Sequence, residues 1–249
     1  MTDSAARAPA AEVVVLVPTY NESESLPGIV GRVRSAVPEA AVLVIDDASP
    51  DGTGELAEEL AAADPLVSVL HRAGKEGLGR AYRAGFALAL ERGHRLIVEM
   101  DADGSHPPET LPALLAAARA GADLVIGSRW TPGGRTVAWS RRRTWLSRTA
   151  NRYAAWMLRI PVADSTAGYR VYRAEALRAL DLSEVRAHGY YFQVDMTARV
   201  LEQGGRVEEV PIEFVERRAG ASKMTFGIIV EAMLAVTALG IRRRFRRSP

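Results

Sequence analysis

Short runs of aliphatic residues recur through the first half of the chain, and each is followed by a segment with helical periodicity. The runs predict strands at 13–18 (VVVLVP), 41–47, 67–72, 95–103 and 123–129. Strands that are apolar on both faces and alternate with helices are typical of a parallel sheet covered by helices on both sides. We therefore predict a Rossmann-like α/β fold in which right-handed crossovers connect the strands.

The remaining predicted elements are the helices between these strands and, after the alternation stops at Arg129, three more helices and a strand. Pro211 lies in that last strand and indicates an edge strand or a bulge. The helices are predicted at 23–36, 52–64, 77–93, 109–121, 144–159, 189–205 and 224–247, and the strand at 206–217.

Polar side chains follow three of the predicted strands at the point where each strand ends. In α/β sheets of this kind, ligands bind beyond the carboxyl ends of the strands. A single Asp-x-Asp is typical of a turn, whereas acidic groups at three strand ends on one edge indicate a binding site. The polar residues are Thr19, Tyr20, Asn21 and Glu22 after the first strand, Asp46 and Asp47 after the second, and Asp101 and Asp103 after the fourth.

The residue types at this edge favour one kind of chemistry. No Gly-x-Gly-x-x-Gly follows the first strand and no phosphate-loop lysine pattern occurs, which disfavours dinucleotide and Walker-type sites. The chain has no cysteine, so thiolate metal sites and disulfides are excluded. Asp101 and Asp103 instead predict a hard oxygen site for Mg²⁺ or Mn²⁺, completed by diphosphate oxygens. Such a metal stabilises a departing diphosphate, so we expect a nucleoside diphosphate to leave a sugar here, with Asp47 and Glu22 bound to base or ribose.

A basic block runs from Leu124 to Ala163. It contains no Asp or Glu, eight arginines and all four tryptophans of the chain. Arginine mixed with tryptophan indicates a phosphate-bearing partner, either nucleic acid or an anionic membrane surface. The alternative is a solvated basic face with the tryptophans in the core. A nucleic-acid-binding module would leave the acidic edge unexplained, because that edge would repel phosphates, so we do not expect a nucleic-acid partner.

The predicted helix at 144–159 is amphipathic. One stripe is apolar, and the opposite one is basic and flanked by two tryptophans, so one side can pack while the other offers Arg and Trp. The apolar stripe holds Leu146, Ala150, Tyr153 and Met157, and the basic stripe holds Arg148, Arg152 and Arg159, flanked by Trp145 and Trp156.

The two ends of the chain carry further expectations. Residues 1–12 read as a disordered lead-in without a signal peptide. The apolar stretch from Phe226 to Ile241 is interrupted by Glu231 and is shorter than the roughly 20 apolar residues that span a bilayer. Five arginines fall in the last eight residues. We therefore predict an in-plane interfacial helix at the C-terminus and no transmembrane helix.

Six sequence motifs occur in a fixed order along the chain. They are VPTYNE at 17–22, IDDASPDG at 45–52, MDADGSHPPE at 100–109, GSRW at 127–130, DSTAGYRVYR at 164–173 and RRAGASKM at 217–224. Together they resemble the polyprenol-phosphate mannosyltransferases (dolichol-phosphate mannose synthases), which are GT-A enzymes of glycosyltransferase family 2. The first three motifs are shared across family 2, and the last three distinguish the polyprenol-phosphate branch. The resemblance implies a GT-A catalytic domain over 13–223, containing an amphipathic Arg/Trp segment at 130–160, and a basic helix over 224–249.

The resemblance also implies an activity. The enzyme would move mannose from GDP-mannose to a polyprenyl (dolichyl) monophosphate with inversion, using Mg²⁺ or Mn²⁺. It would be cytoplasmic and peripheral on the inner face of the cell membrane, held there by its own helices or by a membrane-anchoring partner protein. Two alternatives share the same strand-end site: a family 2 enzyme making polyprenyl-phosphate-glucose from UDP-glucose, and a nucleotide-sugar sensor, which would not need Lys223 or the arginines.

Individual roles follow from the resemblance position by position. Ser105 stands where many relatives carry glutamine, so its place among the metal ligands is the weakest match. The implied nucleotide-sugar residues are Pro18, Tyr20, Glu22, Ile45, Asp47, Asp101, Ala102, Asp103, Arg217 and Lys223; the acceptor-phosphate residues are Arg129, Arg143 and Ser147; the metal ligands are Asp101, Asp103 and Ser105; and the catalytic residues are Asp101, Asp103 and Arg129.

The implied nucleophile is a phosphate oxygen of the lipid. A phosphomonoester has a second pKa of about 6 and is already largely ionised at neutral pH. The reaction would therefore need no general base, which is consistent with a chain of four histidines of which only His106 adjoins the motifs. We expect catalysis by positioning and electrostatics, with two or three arginines on the acceptor phosphate.

Overall fold

The computed structural model describes residues 11–185, 190–216 and 226–246. Single turns of 3-10 helix also occur at Pro108–Thr110 and Leu182–Glu184. The strands are β1 (Val13–Thr19), β2 (Ala41–Asp46), β3 (Val67–His71), β4 (Leu96–Glu99), β5 (Leu124–Ser128), β6 (Arg135–Val137), β7 (Arg170–Arg173), β8 (Val207–Pro211) and β9 (Glu213–Val215). The helices are α1 (Leu26–Ala36), α2 (Thr53–Ala63), α3 (Leu78–Glu91), α4 (Leu111–Arg119), α5 (Arg141–Leu158), α6 (Ala174–Ala179), α7 (Tyr190–Glu202) and α8 (Phe226–Arg246).

Seven of the strands form one sheet in the order β3-β2-β1-β4-β7-β5-β8. Neighbouring strands are parallel except at β7, which runs antiparallel between β4 and β5. The predicted Rossmann-like, mostly parallel sheet is confirmed. The sequence does not predict β7, because RVYR is only four residues long and carries an arginine at each end.

The single strand predicted at 206–217 is wrong. Strand β8 pairs with β5 at the edge of the main sheet, whereas β9 pairs with β6 in a separate two-stranded sheet. The chain changes sheets at buried Ile212, whose N–H bonds Ser128 and whose carbonyl bonds Arg135. Pro211 ends β8 at the sheet edge, as the sequence predicts, because proline has no N–H to continue the ladder.

Two helices begin three residues away from their predicted first residues. Helix α1 begins at Leu26 rather than at 23, because the Ser23 N–H bonds the Asp51 carboxylate at 3.2 Å and belongs to a loop. Helix α5 begins at Arg141 rather than at 144. There the Ser140 hydroxyl accepts the Arg143 N–H at 3.3 Å, which is an N-cap.

The sheet is buried on both faces. In β1, Val13, Val15 and Val17 belong to one hydrophobic cluster, and Val14 and Leu16 belong to the other. The first cluster contains the apolar faces of α1 and α4, and the second contains those of α3, α6 and α7. This double burial explains why the strands are apolar throughout, and it leaves the strand ends as the place for polar residues.

Helices α5, α7 and α8 form a third packed group around Ala154, Val194 and Val236. Gly240 allows α8 to approach α5, since a Cβ there would lie 2.7 Å from Met157 Cγ. Among the residues that the structure describes, no helix is long and apolar enough to cross a bilayer.

Candidate active site

A cavity of about 450 Å³ lies at the carboxyl ends of β1, β2, β4 and β5 and extends between α5, α7 and α8. It has three parts. The first part is lined by Pro18, Tyr20, Glu22, Asp47, Lys75 and Leu78; the middle by Asp101, Ala102, Asp103, Ser105, His106, Arg129 and Gln193; and the far part by Arg143, Leu146, Ser147, Ala150, Tyr153, Val194, Met233 and Val236. The structure thus brings most of the predicted site residues to one cavity.

The loop that carries Glu22 is held by the segment after β2. The Glu22 N–H bonds the Thr53 hydroxyl at 3.0 Å, and the Thr53 hydroxyl in turn bonds Asp51 at 2.5 Å. Asp51 also accepts the Ser23 N–H. Although burial opposes it, these hydrogen bonds from Thr53 and Ser23 lower the pKa of Asp51 to about 2. The conformation of the VPTYNE loop therefore depends on the segment at 49–52 (SPDG), in which the Asp51 carboxylate holds the loop in place through hydrogen bonds.

Asp47 lines the first part of the cavity as an ion pair with Arg72. Burial raises the pKa of Asp47, and the Arg72 guanidinium offsets part of that rise. Lys75 lies over the Tyr20 ring, with its Nζ 3.7 Å from the ring centroid. This part of the cavity therefore offers an aromatic face, a cation and carboxylates, which suits a base and a ribose.

Two strand-end residues behave differently from the prediction. The side chain of Ile45 is fully buried in the core and packs beside Gly85 of α3, so it does not line the cavity. Asp46 is also buried, and its carboxylate accepts hydrogen bonds from Thr19 and Ser49. Because side chains alternate across a strand, Asp46 points to the opposite face of the sheet from Asp47.

His106 fixes the position of Asp101. Its Nδ1 accepts the Asp101 N–H at 3.0 Å, which leaves the proton on Nε2, 3.9 Å from the Asp101 carboxylate. The ring is 2% exposed and stacks on Tyr169 with 5.2 Å between centroids. The role of His106 is therefore to hold the backbone of the Asp101 loop in position.

Asp103 and Ser105 form a tight turn in the middle of the cavity. Asp103 Oδ1 accepts the Ser105 N–H at 3.0 Å, and the Ser105 hydroxyl is buried with no hydrogen-bond partner in the described part of the chain. That orphaned oxygen and two nearby carboxylates are hard donors that fit Mg²⁺ or Mn²⁺. Among the described residues, no three His, Asp or Glu side chains converge on one point, so a metal would need further oxygens from its ligand.

Arg129 is held by Asp164, 35 residues away in the sequence. Its Nε and one Nη lie 2.7 and 2.6 Å from the two Asp164 oxygens, and the same Nη bonds Thr166. Asp164 is fully buried and Arg129 is 6% exposed. The predicted acceptor-phosphate ligand is thus an oriented side chain whose charge is compensated by a buried carboxylate.

The other two predicted acceptor residues lie one turn apart on α5, and both line the cavity. The Arg143 guanidinium lies 3.9 Å from the Trp139 ring centroid and pairs with Glu216. Its Nε is buried and has no partner within the described ranges. Stacking and pairing hold this cation at the cavity wall beside Ser147.

Beneath the middle of the cavity lies a buried polar group that the sequence does not predict. Gln193 Nε2 donates to Glu99 Oε2 at 2.8 Å, and both residues are buried. Burial raises the pKa of Glu99 to about 8, although nearby Arg170 and the Gln193 hydrogen bond lower it. The strand end that carries Asp101 therefore follows a buried carboxyl group whose pKa is strongly raised.

Glu99→Gln is expected to remove a loss of stability that develops as the pH rises from 4.5 to about 8. Because the folded-state pKa is raised from 4.5 to about 8, stability is fully present below the unfolded pKa and falls as pH rises toward the folded one. Urea unfolding in EDTA at pH 5 and pH 8 should show the wild type losing on the order of 3 kcal/mol more than the variant. Equal losses would show that Glu99 does not titrate in this range.

The far part of the cavity is an apolar arm between α5 and α8. Leu146, Ala150 and Tyr153 of α5 face Met233 and Val236 of α8 across it. The predicted apolar stripe of α5 therefore lines the cavity, and its last member, Met157, packs on α8.

The basic stripe of α5 is exposed, as predicted. Trp145 and Trp156 are 67% and 65% exposed, and Leu234 of α8, the helix that packs on α5, is 66% exposed. Trp130 and Trp139, by contrast, pack edge to face with 6.3 Å between centroids and enclose Arg129. The four tryptophans therefore divide into an inner pair and an outer pair.

Arg217 and Lys223, predicted to hold the donor diphosphate, lie outside the described residues. Several residues of the site were missed from the sequence: Lys75, Asp164, Tyr191 and Gln193. Asp164 begins the DSTAGYRVYR motif and Gln193 lies in a predicted helix, but their partners are distant in the chain, and no local pattern indicates such a pairing.

Comparison with known proteins places the chain among glycosyltransferases. Residues 14–181 match the family described as Glycosyl transferase family 2. An undecaprenyl-phosphate mannosyltransferase from Micrococcus luteus is 57% identical over 233 residues, which cover 94% of this chain and 96% of the relative. A polyprenol monophosphomannose synthase from Mycolicibacterium smegmatis is 54% identical over 247 residues, covering 99% and 93%.

Solved structures share the fold at low sequence identity. A glucosyl-3-phosphoglycerate synthase from Mycobacterium tuberculosis has a TM-score of 0.67 at 17% identity, covering 92% of this chain and 80% of that one. A mannosyltransferase from Pyrobaculum calidifontis, in complex with GDP-mannose and Mn²⁺, has a TM-score of 0.57 at 17% identity, covering 96% and 76%.

Proposed function

The chain belongs to glycosyltransferase family 2, and from that premise we propose that it transfers mannose from GDP-mannose to a polyprenyl monophosphate. The family resemblance that rests on the six motifs is confirmed by two relatives that are named for mannosyl transfer to a polyprenyl phosphate. They are 57% and 54% identical over nearly the whole chain. The donor nucleotide is the one named for the Pyrobaculum enzyme, whose fold is shared.

The observation that carries the proposal is one cavity with two chemically different ends. Carboxylates and an aromatic ring line the end beside β1 and β2, whereas aliphatic and aromatic side chains of α5 and α8 line the other. A polar donor and a lipid acceptor need just such a division, with the reacting atoms between them. In this cavity Asp101, Asp103 and Arg129 lie in that middle position.

A divalent metal is part of the proposal. Asp101 and Asp103 would hold it, with Ser105 beside them, and the diphosphate would complete its shell. When bound, the metal supplies Lewis-acid stabilisation of the charge on the leaving GDP. His106 keeps the Asp101 loop in place through the hydrogen bond from the Asp101 N–H.

The acceptor phosphate would lie between Arg129, Arg143 and Ser147. Its oxygen attacks the anomeric carbon of mannose, the bond from that carbon to the GDP oxygen breaks, and GDP leaves with the electron pair. The phosphate is already ionised, so no proton has to be removed. Arg143 orients the phosphate, and Arg129 adds positive charge that Asp164 moderates, so that the nucleophile is not blunted.

The prenyl chain would follow the apolar arm to the outer surface of α5 and α8. Exposed Trp145, Trp156 and Leu234 lie on these helices together with arginines, a combination typical of interfacial helices. We therefore propose that this surface rests on the inner face of the cell membrane. One tail arginine is not available to lipid, because Arg243 is 9% exposed and pairs with Glu202 at 2.5 Å.

The double variant Arg148→Gln/Arg152→Gln is expected to weaken binding to anionic vesicles. Each arginine near an anionic leaflet contributes about 1 kcal/mol, so two should lower the partition coefficient ~10-fold or more. Flotation with anionic and neutral vesicles at low and high salt measures this. The matched control is Arg32→Gln/Arg119→Gln, which removes two exposed cations from α1 and α4 on the other face of the sheet. Equal losses in both variants, or binding that ignores salt, would contradict the proposed surface.

Transfer from GDP-[¹⁴C]mannose to a short polyprenyl phosphate tests the proposed activity. Label should enter the organic phase, and EDTA should stop it until Mg²⁺ or Mn²⁺ is restored. Unlabelled UDP-glucose in excess should compete poorly. Efficient competition, with glucose found on the lipid, would instead identify the glucosyltransferase alternative.

A further inference from the structure

Gln193 is a buried amide at the middle of the cavity whose two polar atoms are in different situations. The side chain is 4% exposed and lines the cavity. Its Nε2 donates to Glu99 Oε2 at 2.8 Å. Its Oε1 is buried and accepts no hydrogen bond from any residue that the structure describes.

The position of this amide is fixed from several sides. The Gln193 main-chain carbonyl accepts hydrogen bonds from the Arg170 guanidinium and the Thr197 hydroxyl, both at 2.9 Å. Arg170 is fully buried and also bonds the carbonyls of Ser165 and Ala167. Gln193 is thus anchored to the loop after Asp164, and through Glu99 to the strand that ends at Asp101.

A buried carbonyl oxygen without a donor is unfavourable, and such an oxygen in a cavity marks a place where a ligand supplies the donor. The ligand groups proposed for this cavity differ in what they offer. The ionised phosphates carry acceptors only, and the prenyl chain carries neither donor nor acceptor. The base and the ribose lie at the other end, beside Tyr20 and Asp47. Among the parts of the two substrates, the hydroxyl groups of the transferred sugar are the donors that would reach the middle of the cavity.

We propose that Gln193 contacts the donor sugar, with its Oε1 accepting a hydrogen bond from one hydroxyl group of the hexose. The inference rests on the proposed function and deepens it. Glu99 acts as a positioning residue, because its oxygen engages the amide N–H and turns the amide oxygen away from the strand. A site that hydrogen-bonds a hydroxyl group discriminates against sugars that lack it or direct it elsewhere. Gln193 would therefore contribute to the choice of mannose.

Monodeoxy donors provide the test. The wild type is assayed with GDP-mannose and with its 2-, 3-, 4- and 6-deoxy analogues, and Gln193→Met, which keeps the side-chain length without the amide, is assayed with the same set. We expect kcat/KM of the wild type to fall roughly 10–100-fold for the analogue that lacks the contacted hydroxyl group. Gln193→Met should lose a similar factor with GDP-mannose and no longer distinguish that one analogue, while it still distinguishes the others.

Binding of GDP alone separates contact from structure. GDP lacks the transferred hexose, so calorimetry should give the same affinity for wild type and Gln193→Met. If burial of Glu99 without its partner prevents folding of that variant, Gln193→Asn withdraws the amide by one methylene group and should show the same loss of discrimination. Gln203→Met, the same change at an exposed position just after α7, should preserve every loss of kcat/KM seen with the deoxy donors.

The outcomes are distinct. The inference would be overturned if Gln193→Met kept every loss of kcat/KM that the wild type shows with the deoxy donors, or if its affinity for GDP fell as much as its rate of transfer. The proposed function would stand in either case. No transfer by the wild type from GDP-mannose to polyprenyl phosphate would overturn the proposed function and the inference with it.

Discussion

Asp103→Ala is expected to lower the rate of mannosyl transfer by roughly 10²–10³-fold or more, because it removes a carboxylate that would hold the metal, and with it the positive charge that would stabilise the leaving diphosphate. The fold should survive. Asp103 accepts a local hydrogen bond from the Ser105 N–H at 3.0 Å, and a bond of this kind contributes about 1 kcal/mol. Initial rates with saturating Mn²⁺, together with thermal unfolding, measure both effects.

The control for this variant is Glu39→Ala. Glu39 is an exposed carboxylate between α1 and β2, at the amino ends of the strands and so at the opposite end of the sheet from the cavity. It changes the net charge equally and should leave transfer unaltered. An Asp103→Ala enzyme that regains full activity in excess Mn²⁺ would remove Asp103 from the proposed metal site.

Asp164→Ala is expected to destabilise the protein by about 3–5 kcal/mol, the range for breaking a buried ion pair from one side. Asp164 is fully buried and accepts hydrogen bonds from two guanidinium nitrogens of Arg129, so the variant removes the counter-ion of a buried guanidinium. Equilibrium urea unfolding gives the difference in free energy. Asp164→Asn keeps the shape but not the charge and should lose less.

An exposed pair of the same geometry supplies the comparison. Glu109 also engages Arg32 through two nitrogens, at 2.9 and 2.7 Å, but the two side chains are 61% and 44% exposed. Surface pairs contribute about 0–1 kcal/mol, so Glu109→Ala should cost little. Similar losses for the two variants would mean that Asp164 does not hold a buried charge.

The sequence predicts the sheet and the strand-end acids because both depend on local patterns. Val13 to Val17 are apolar at every position, which only a strand buried on two faces requires. Asp101 and Asp103 follow such a strand, and topology brings them to the same edge as Glu22 and Asp47. These residues could be assigned to one site without knowledge of any side-chain contact.

What the sequence could not predict depends on contacts between distant segments. Arg129 was expected as a phosphate ligand, yet its orientation is set by Asp164, 35 positions away. Gln193 and Glu99 are separated by 94 positions, and in the sequence each resembles an ordinary helix or strand residue. The antiparallel strand β7 is not predicted for a related reason. Arg170 is buried because its guanidinium bonds Gln193 and Thr197 of α7, and no pattern within the strand indicates that burial.

The central claim is that a phosphate oxygen of the lipid, and not water or a hydroxyl group, receives the sugar. ³¹P NMR of a reaction containing wild-type enzyme, Mg²⁺, GDP-mannose and a short polyprenyl phosphate measures this directly. The account predicts that the phosphomonoester signal of the lipid is replaced by a phosphodiester signal in step with the release of GDP. Release of GDP while the lipid phosphomonoester persists would contradict it.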